Sequence, residues 1–395
     1  MKKIVTFTIA LAPVLLSYKS PIPELDCFSL MIVFLWICHI ISGRRLISSE
    51  KNYLTPLLVY ILLVSPICFL AYTGNPLFPE SGVAISRWLK FLVLCTMVSF
   101  TLIDDFDLEY GIKVVKWFVF FSTAIVIIQR LAFSFNIVIR NPLSAIAVNE
   151  VYALDSYTME LRNGLFRPAA LFLEPAHLSQ YFVVFIIYSL FSVKRSILNA
   201  IIASVGVIAT GSGMGLLLVF VLFFLMIVLN IRHNPIGMLS LMLVFVAISI
   251  YLFQTQFFQM VIYRVLDGSD TGGNAIEARS GAGYLFFMTE SLVERLFGHG
   301  YGSVPLNMYL NGTEYSLISI GFIGTILFCI VSARLIFAQS SRWKIIVWLF
   351  YFLLLFAAQL FASAMIYFYA FASKSDSDTS QEVFSFGENN SIQSI

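Results

Sequence analysis

In a chain that otherwise avoids charge, one stretch gathers groups able to do chemistry: Arg167-Pro-Ala-Ala-Leu-Phe-Leu-Glu174-Pro-Ala-His177. Arginine offers a planar fork of donors that grips phosphate or carboxylate. A glutamate and a histidine three residues apart share one helix face, and either can take a proton from a hydroxyl. Pro175 suits a first helical position, because its missing N–H would be unpaired there anyway. It also pushes Glu174 out of the helical region. Glu174 is therefore expected at the mouth of a helix whose N-terminus favours an anion.

The elements that must position this stretch are apolar. The 395 residues are 59% hydrophobic and 16% aromatic with only 12% charged, against about 25% charge in a globular domain. Apolar runs at about 4–18, 27–42, 54–72, 85–103, 114–134, 178–193, 197–210, 214–230, 236–255, 316–337 and 345–372 predict an all-α polytopic integral membrane protein. The last run has 28 residues, roughly 42 Å of helix against a hydrocarbon core of about 30 Å. It is either one tilted helix or two short passes turning near Gln359, so eleven or twelve transmembrane helices are expected. The start, Lys2-Lys3 and then Ile4 to Tyr18, has no small-x-small cleavage site after it and reads as an uncleaved first span. Five cysteines, all inside apolar runs, suggest neither a disulfide framework nor a zinc site. The net charge of +2 gives no sign of nucleic acid as a partner.

Basic residues orient the spans. With a cytoplasmic N-terminus, the loops carrying Lys2/Lys3, Arg44/Arg45, Lys113, Lys194/Arg195, Arg232 and Arg342/Lys344 are all cytoplasmic, and so is the acidic run Asp104 to Glu109, read as a solvated loop. The expected organisation is membrane helices over 1–134, a first large outer loop over 135–177, central helices over 178–255, a second large outer loop over 256–315, C-terminal helices over 316–372 and a polar, disordered tail over 373–395. The outer loops carry Arg140, Arg162, Arg167, Arg264, Arg279 and Arg295 but no lysine. Arginines placed there against the topological preference suggest a site for a polyanionic group, unless they merely pair with the acids of the same loops. In the second loop, Ala282 to Phe297 reads as a helix along the membrane interface, closed by a left-handed Gly298. The turn Gly298-His299-Gly300-Tyr301-Gly302 follows. Gly211 and Gly215 form a small-xxx-small pattern at a turn between spans, which close helix packing explains. Asn311-Gly-Thr313 reads as a hairpin-like turn.

This layout resembles the bacterial polymerases of lipid-linked polysaccharide repeats, the Wzy-type enzymes of O-antigen, capsule and exopolysaccharide assembly. The resemblance rests on ordered motifs over roughly residues 160–330. They are R-x6-E-P from Arg167 to Pro175, the T-x-S-x-x-G turn Thr210-Gly-Ser212-Gly-Met-Gly215, Arg279, the element Phe297-Gly-His-Gly-Tyr-Gly302, and Gly321-Phe-Ile-Gly324. O-antigen ligases are similar in layout but generally carry a histidine about ten residues before the last motif, where this chain reads Leu310-Asn-Gly-Thr-Glu-Tyr-Ser.

The resemblance implies a GT-C-like glycosyltransferase in the bacterial cytoplasmic (inner) membrane, working at its outer face without nucleotide sugar, metal or other cofactor. Donor and acceptor would both be polyprenyl-diphosphate-linked glycans, with a chain-length regulator and a flippase as protein partners. It assigns catalytic roles to Glu174, Arg167 and Arg279 and substrate contacts to His177, Arg162, Arg264 and His299. Two other classes are a ligase and a transporter without chemistry. Transport predicts ionisable residues deep in spans, internal repeats or broken helices.

Overall fold

A computed structural model describes residues 1–22, 25–45, 47, 52–71, 77–79, 81–148, 166–232, 234–255, 259, 281–305, 308, 310–356 and 363–374. The regular structure among these residues is helical, with no strand beyond two isolated bridges. In chain order the helices are α1 (Lys2–Ala10), α2 (Ala12–Leu15), α3 (Cys27–Ile41), α4 (Thr55–Ala71), α5 (Ser81–Thr96), α6 (Leu108–Ser134), α7 (Pro175–Phe191), α8 (Ile197–Ala209), α9 (Gly213–Asn230), α10 (Pro235–Gln254), α11 (Ala282–Thr289), α12 (Leu292–Phe297), α13 (Gly312–Ala338), α14 (Arg342–Leu354) and α15 (Ser363–Ser373). Among the described residues, four stretches are long and apolar enough to cross a membrane: Gly82–Asp105, Leu108–Ser134, Gly213–Asn230 and Gly312–Ala338.

The centre is α7. Every residue from Leu178 to Ile187 is buried, Ser179 and Gln180 included, so α7 runs through the interior of the bundle. It packs against α8, α9 and α14. Small residues set the closest approaches. A Cβ at Gly215 would lie 2.3 Å from Ser179 Oγ, and one at Gly206 would lie 2.4 Å from Thr123 Oγ1. The Gly211–Gly215 pattern is thus a turn, with Gly211 at φ +65°, followed by a packing contact.

Polar contacts tie each end of the bundle together. At one end Asp105, 3% exposed, takes His39 Nδ1 at 3.2 Å and the Arg44 guanidinium. Thr6 Oγ1 accepts from Asp107 N at 2.8 Å, Lys374 Nζ donates to Ile103 O and Asp104 O, and Lys194 pairs with Glu109 at 2.8 Å. Asp105 is therefore no solvated loop residue. A lone aspartate buried among apolar spans would be costly, and two cationic or donor neighbours offset that cost.

Most of the residues read as cytoplasmic share this end. The last apolar run is a hairpin, because the Lys344 ammonium at the start of α14 meets Lys374 O just past α15. At the opposite end Tyr18 OH donates to Leu171 O, Lys19 N to Ile146 O at 2.8 Å, and Asp26 caps α3 through Ser29 N at 2.7 Å. Asn311-Gly-Thr313 is no hairpin: Asn311 is the N-cap of α13, in a reciprocal capping box with Glu314.

Candidate functional sites at the Tyr18 end

The strap that leads into α7 is held mainly through its backbone. Phe166 O accepts from the Arg130 guanidinium, Ala170 N donates to Gln129 Oε1 at 3.1 Å, and Leu171 O takes the Tyr18 hydroxyl. Asn141 Nδ2 supports Tyr18 OH at 2.9 Å. Ala170 sits at φ +52°, a left-handed conformation that costs a non-glycine residue roughly 1–2 kcal/mol. Those three bonds hold it there. Glu174 is the N-cap of α7, at φ −132° and ψ 143°, with Pro175 first in the helix. Its side chain caps no backbone N–H, so the carboxylate is available. It lies 3.9 Å from His177 Nε2, with the histidine side chain 45% exposed and the glutamate 16%. Arg167, half-buried, stands seven residues upstream on the same strap. The structure thus brings Glu174 and His177 together. Arg162, Arg264 and Arg279 lie outside the described residues, as do His233 and the tail beyond residue 374.

The Gly298–Gly302 turn is wedged into the bundle, and each glycine meets a different helix. A Cβ at Gly298 (φ +76°) would fall 2.6 Å from Gly321 N. At Gly300 (φ +93°) it would meet Phe69 and Ser65 O of α4, and at Gly302 (φ +90°) Arg87 Cβ at 2.8 Å. The receiving helices are opened to match. Gly321, at φ +70° and ψ −177°, breaks α13, and the carbonyl of Ile318 accepts His299 N at 2.9 Å. Ser65 Oγ, beside Pro66 within α4, accepts Tyr301 N at 3.0 Å.

This wedge buries His299 to 2% exposure, with its ring 4.3 Å from that of Phe78. Glu290 and Glu294 converge on it, Glu290 Oε2 standing 3.3 Å from His299 Nε2. Burial, and then the neighbouring Glu294, push the Glu290 carboxyl up to about 7, while burial pushes the His299 imidazole down to about 4. Burial also opposes the charge on Glu294, but hydrogen bonds from Glu290 and Ser291 outweigh it and hold that carboxyl below its usual value. The helix expected over 282–297 is split into α11 and α12, because Ser291 starts a new helix with a capping box to Glu294. That break brings Glu290 and Glu294 onto His299.

Beside the wedge lies a cavity of about 200 Å3, whose wall includes Arg87, Lys90, Phe91, Tyr301 and Tyr315. Tyr301 stacks on Phe91 at 4.1 Å and meets Tyr315 edge-on at 5.9 Å. Arg87 Nη1 donates to Gly302 O at 3.3 Å, and Lys90 pairs with buried Asp26. Arg87 and Lys90 therefore bring two cations to a largely aromatic and aliphatic chamber, with Asp26 neutralising one. Of the described residues that the sequence marked as candidates, Arg167, Glu174, His177 and His299, none is in its wall. The one sequence signal was Arg87-x-x-Lys90 at the head of an apolar run, which reads equally as an ordinary span terminus. Leu16 and Ile366 also line it, close in sequence to Tyr18, which holds Leu171, and to Tyr367, whose hydroxyl donates to Tyr181 O at 3.1 Å. The cavity and the strap are thus linked through two short segments.

No family, no curated protein and no solved structure matches this chain. What the residues themselves define is an all-helical chain with apolar helices of membrane-crossing length, and a polar strap and a cationic cavity joined at one end.

Proposed function

We propose that this protein is a glycosyltransferase of the bacterial cytoplasmic membrane that polymerises polyprenyl-diphosphate-linked oligosaccharide repeats, working at the outer face with its N-terminus in the cytoplasm. The observation that carries the reading is the cavity at the Tyr18 end. A chamber with aromatic and aliphatic walls and one guanidinium, Arg87, that makes no ion pair among the described residues suits an amphiphile with an anionic head, such as a lipid diphosphate. The acceptor hydroxyl attacks the anomeric carbon of the donor, its proton passes to Glu174, and the bond from that carbon to the diphosphate oxygen breaks. Arg87, with Arg167 on the strap and Arg279 from the second loop, neutralises the charge that develops on the leaving diphosphate. His177 orients Glu174, and Arg162 and Arg264 belong to the surrounding sugar and phosphate environment, while buried His299 supports the cavity wall behind Tyr301 and does not touch the glycan. A chain-length regulator and a flippase are the protein partners this reading calls for.

The test is polymer length in cells carrying Glu174→Gln or Arg167→Ala. Single repeats in place of long chains, with the protein still in the membrane, are expected. Full-length polymer from either variant rejects the assignment.

One observation favours a transporter instead. Helix α13 is broken at Gly321, as helices are in many transporters. Here, however, the break is filled by the Gly298 backbone, whereas broken helices in transporters typically line a substrate site. Transfer of labelled repeats between lipid carriers by the purified protein separates the two classes, since a transporter yields no new glycosidic bond.

A further inference from the structure

We propose that Glu290, Glu294 and His299 form a binding site for one divalent transition-metal ion of the Zn2+ or Mn2+ kind, which ties α11 and α12 to the glycine wedge. Two carboxylate oxygens and one imidazole nitrogen lie within 4.8 Å of one another. Atoms bound to a common ion at about 2.1 Å stand about 3.0–3.5 Å apart. Glu290 Oε2 and His299 Nε2, at 3.3 Å, already have that spacing. The third donor, a Glu294 carboxylate oxygen, stands within 4.8 Å of both.

The three donors are fixed from independent directions. Glu294 is third in α12, where its other role is to accept Ser291 N at 2.7 Å. Glu290 stands just before that helix, and His299 is two residues past its end, its ring against Phe78 and its backbone N–H on Ile318 O. The Glu290 side chain is 14% exposed and that of His299 only 2%, so two of the three donors are shielded from bulk water. A proton or a cation between Glu290 and Glu294 relieves the repulsion of two adjacent carboxylates. The donor set selects the ion: imidazole suits Zn2+ and related metals, whereas Mg2+ and Ca2+ prefer oxygen alone. Three protein donors leave a position open for water or an anionic oxygen. Tyr301, two residues beyond His299, lines the cavity, so the ion would brace one cavity wall.

The experiment needs no glycan and stands apart from the glycosyltransferase reading. Full-length protein in nanodiscs, stripped with chelator, is titrated with Co2+ while its visible ligand-field bands are followed, and Zn2+ is then added in competition. One equivalent of Co2+, displaced by Zn2+ and accompanied by a higher melting temperature, is expected. Glu290→Gln and Glu294→Gln should each weaken binding at least about tenfold. Both should fold, because glutamine serves equally as the capping residue at position 294. His299→Ala should abolish uptake, but the two Gln variants decide the question if the buried histidine proves necessary for folding. Wild-type protein that takes up no Co2+, or no more than the Glu290→Gln/Glu294→Gln double variant, overturns the site.

Discussion

The strap before α7 and the glycine wedge after α12 solve opposite problems at the same end of the molecule. The strap is held by its backbone: Arg130, Gln129 and Tyr18 bond its carbonyls and N–H groups. Its chemical side chains, Glu174 and His177, keep partial access to solvent. The wedge is held by the absence of side chains. Three glycines at positive φ press against three helices, and the histidine among them is sealed in. A polar group on the strap can therefore be exchanged with little effect on folding, whereas a group added to the wedge displaces backbone. Side chains placed for chemistry and side chains excluded for packing leave similar traces in a sequence, but they fail differently when substituted.

That contrast breaks first at Gly298. Adding a methyl group sets a Cβ 2.6 Å from Gly321 N in a glycine-only conformation, so Gly298→Ala should cost at least about 3 kcal/mol. Thermal melting of the purified protein would record it, and an unchanged midpoint would mean that the wedge tolerates bulk. On the strap, Glu174→Gln should lower the rate of chain extension by about 100-fold or more, the usual worth of a positioned base, while the melting temperature stays within experimental scatter. A parallel loss of stability would show that Glu174 holds the fold instead.

Arg87→Gln probes the cavity between the two. It removes a charged donor worth about 1.5 kcal/mol to an anion, so the apparent affinity for a polyprenyl diphosphate should fall roughly tenfold, and equal binding would reject Arg87 as a contact. The smallest effect belongs to Ala170→Gly. It relieves a left-handed alanine but adds freedom to the unfolded chain and removes a buried methyl. A gain below about 1 kcal/mol is expected by the same melting measurement. A clear loss would indicate that the methyl packs better than the strain costs.

Much of the helix layout was legible because apolar runs mark helices, although only four of those among the described residues reach membrane-crossing length against the eleven or twelve expected. The start of α7 was legible because Glu-Pro carries its own stereochemistry: proline excludes helical geometry at Glu174 whatever surrounds it. The turn at Gly211 and the close packing of Gly215 were legible for similar local reasons. Other readings were not local. Asp105 looked like one acid in a solvated run, and only the return of α3 beside it supplies His39 and Arg44. Asn311, by contrast, resembled a turn although the local signal was present: Glu314, three residues on, makes it a cap.

By itself, then, the sequence determined an apolar, all-helical chain with a proline-marked helix entry bearing Glu174 and His177, since composition, periodicity and proline geometry act within a few residues. Only the tertiary structure decided which charges face one another. Arg87 and Lys90 meet Tyr301 across more than two hundred residues, and His299 is held beside Glu290 and Glu294 by its packing on Phe78 and its backbone bond to Ile318 O. The distances that give those groups their chemistry arise from chain segments packing together, which no local propensity encodes.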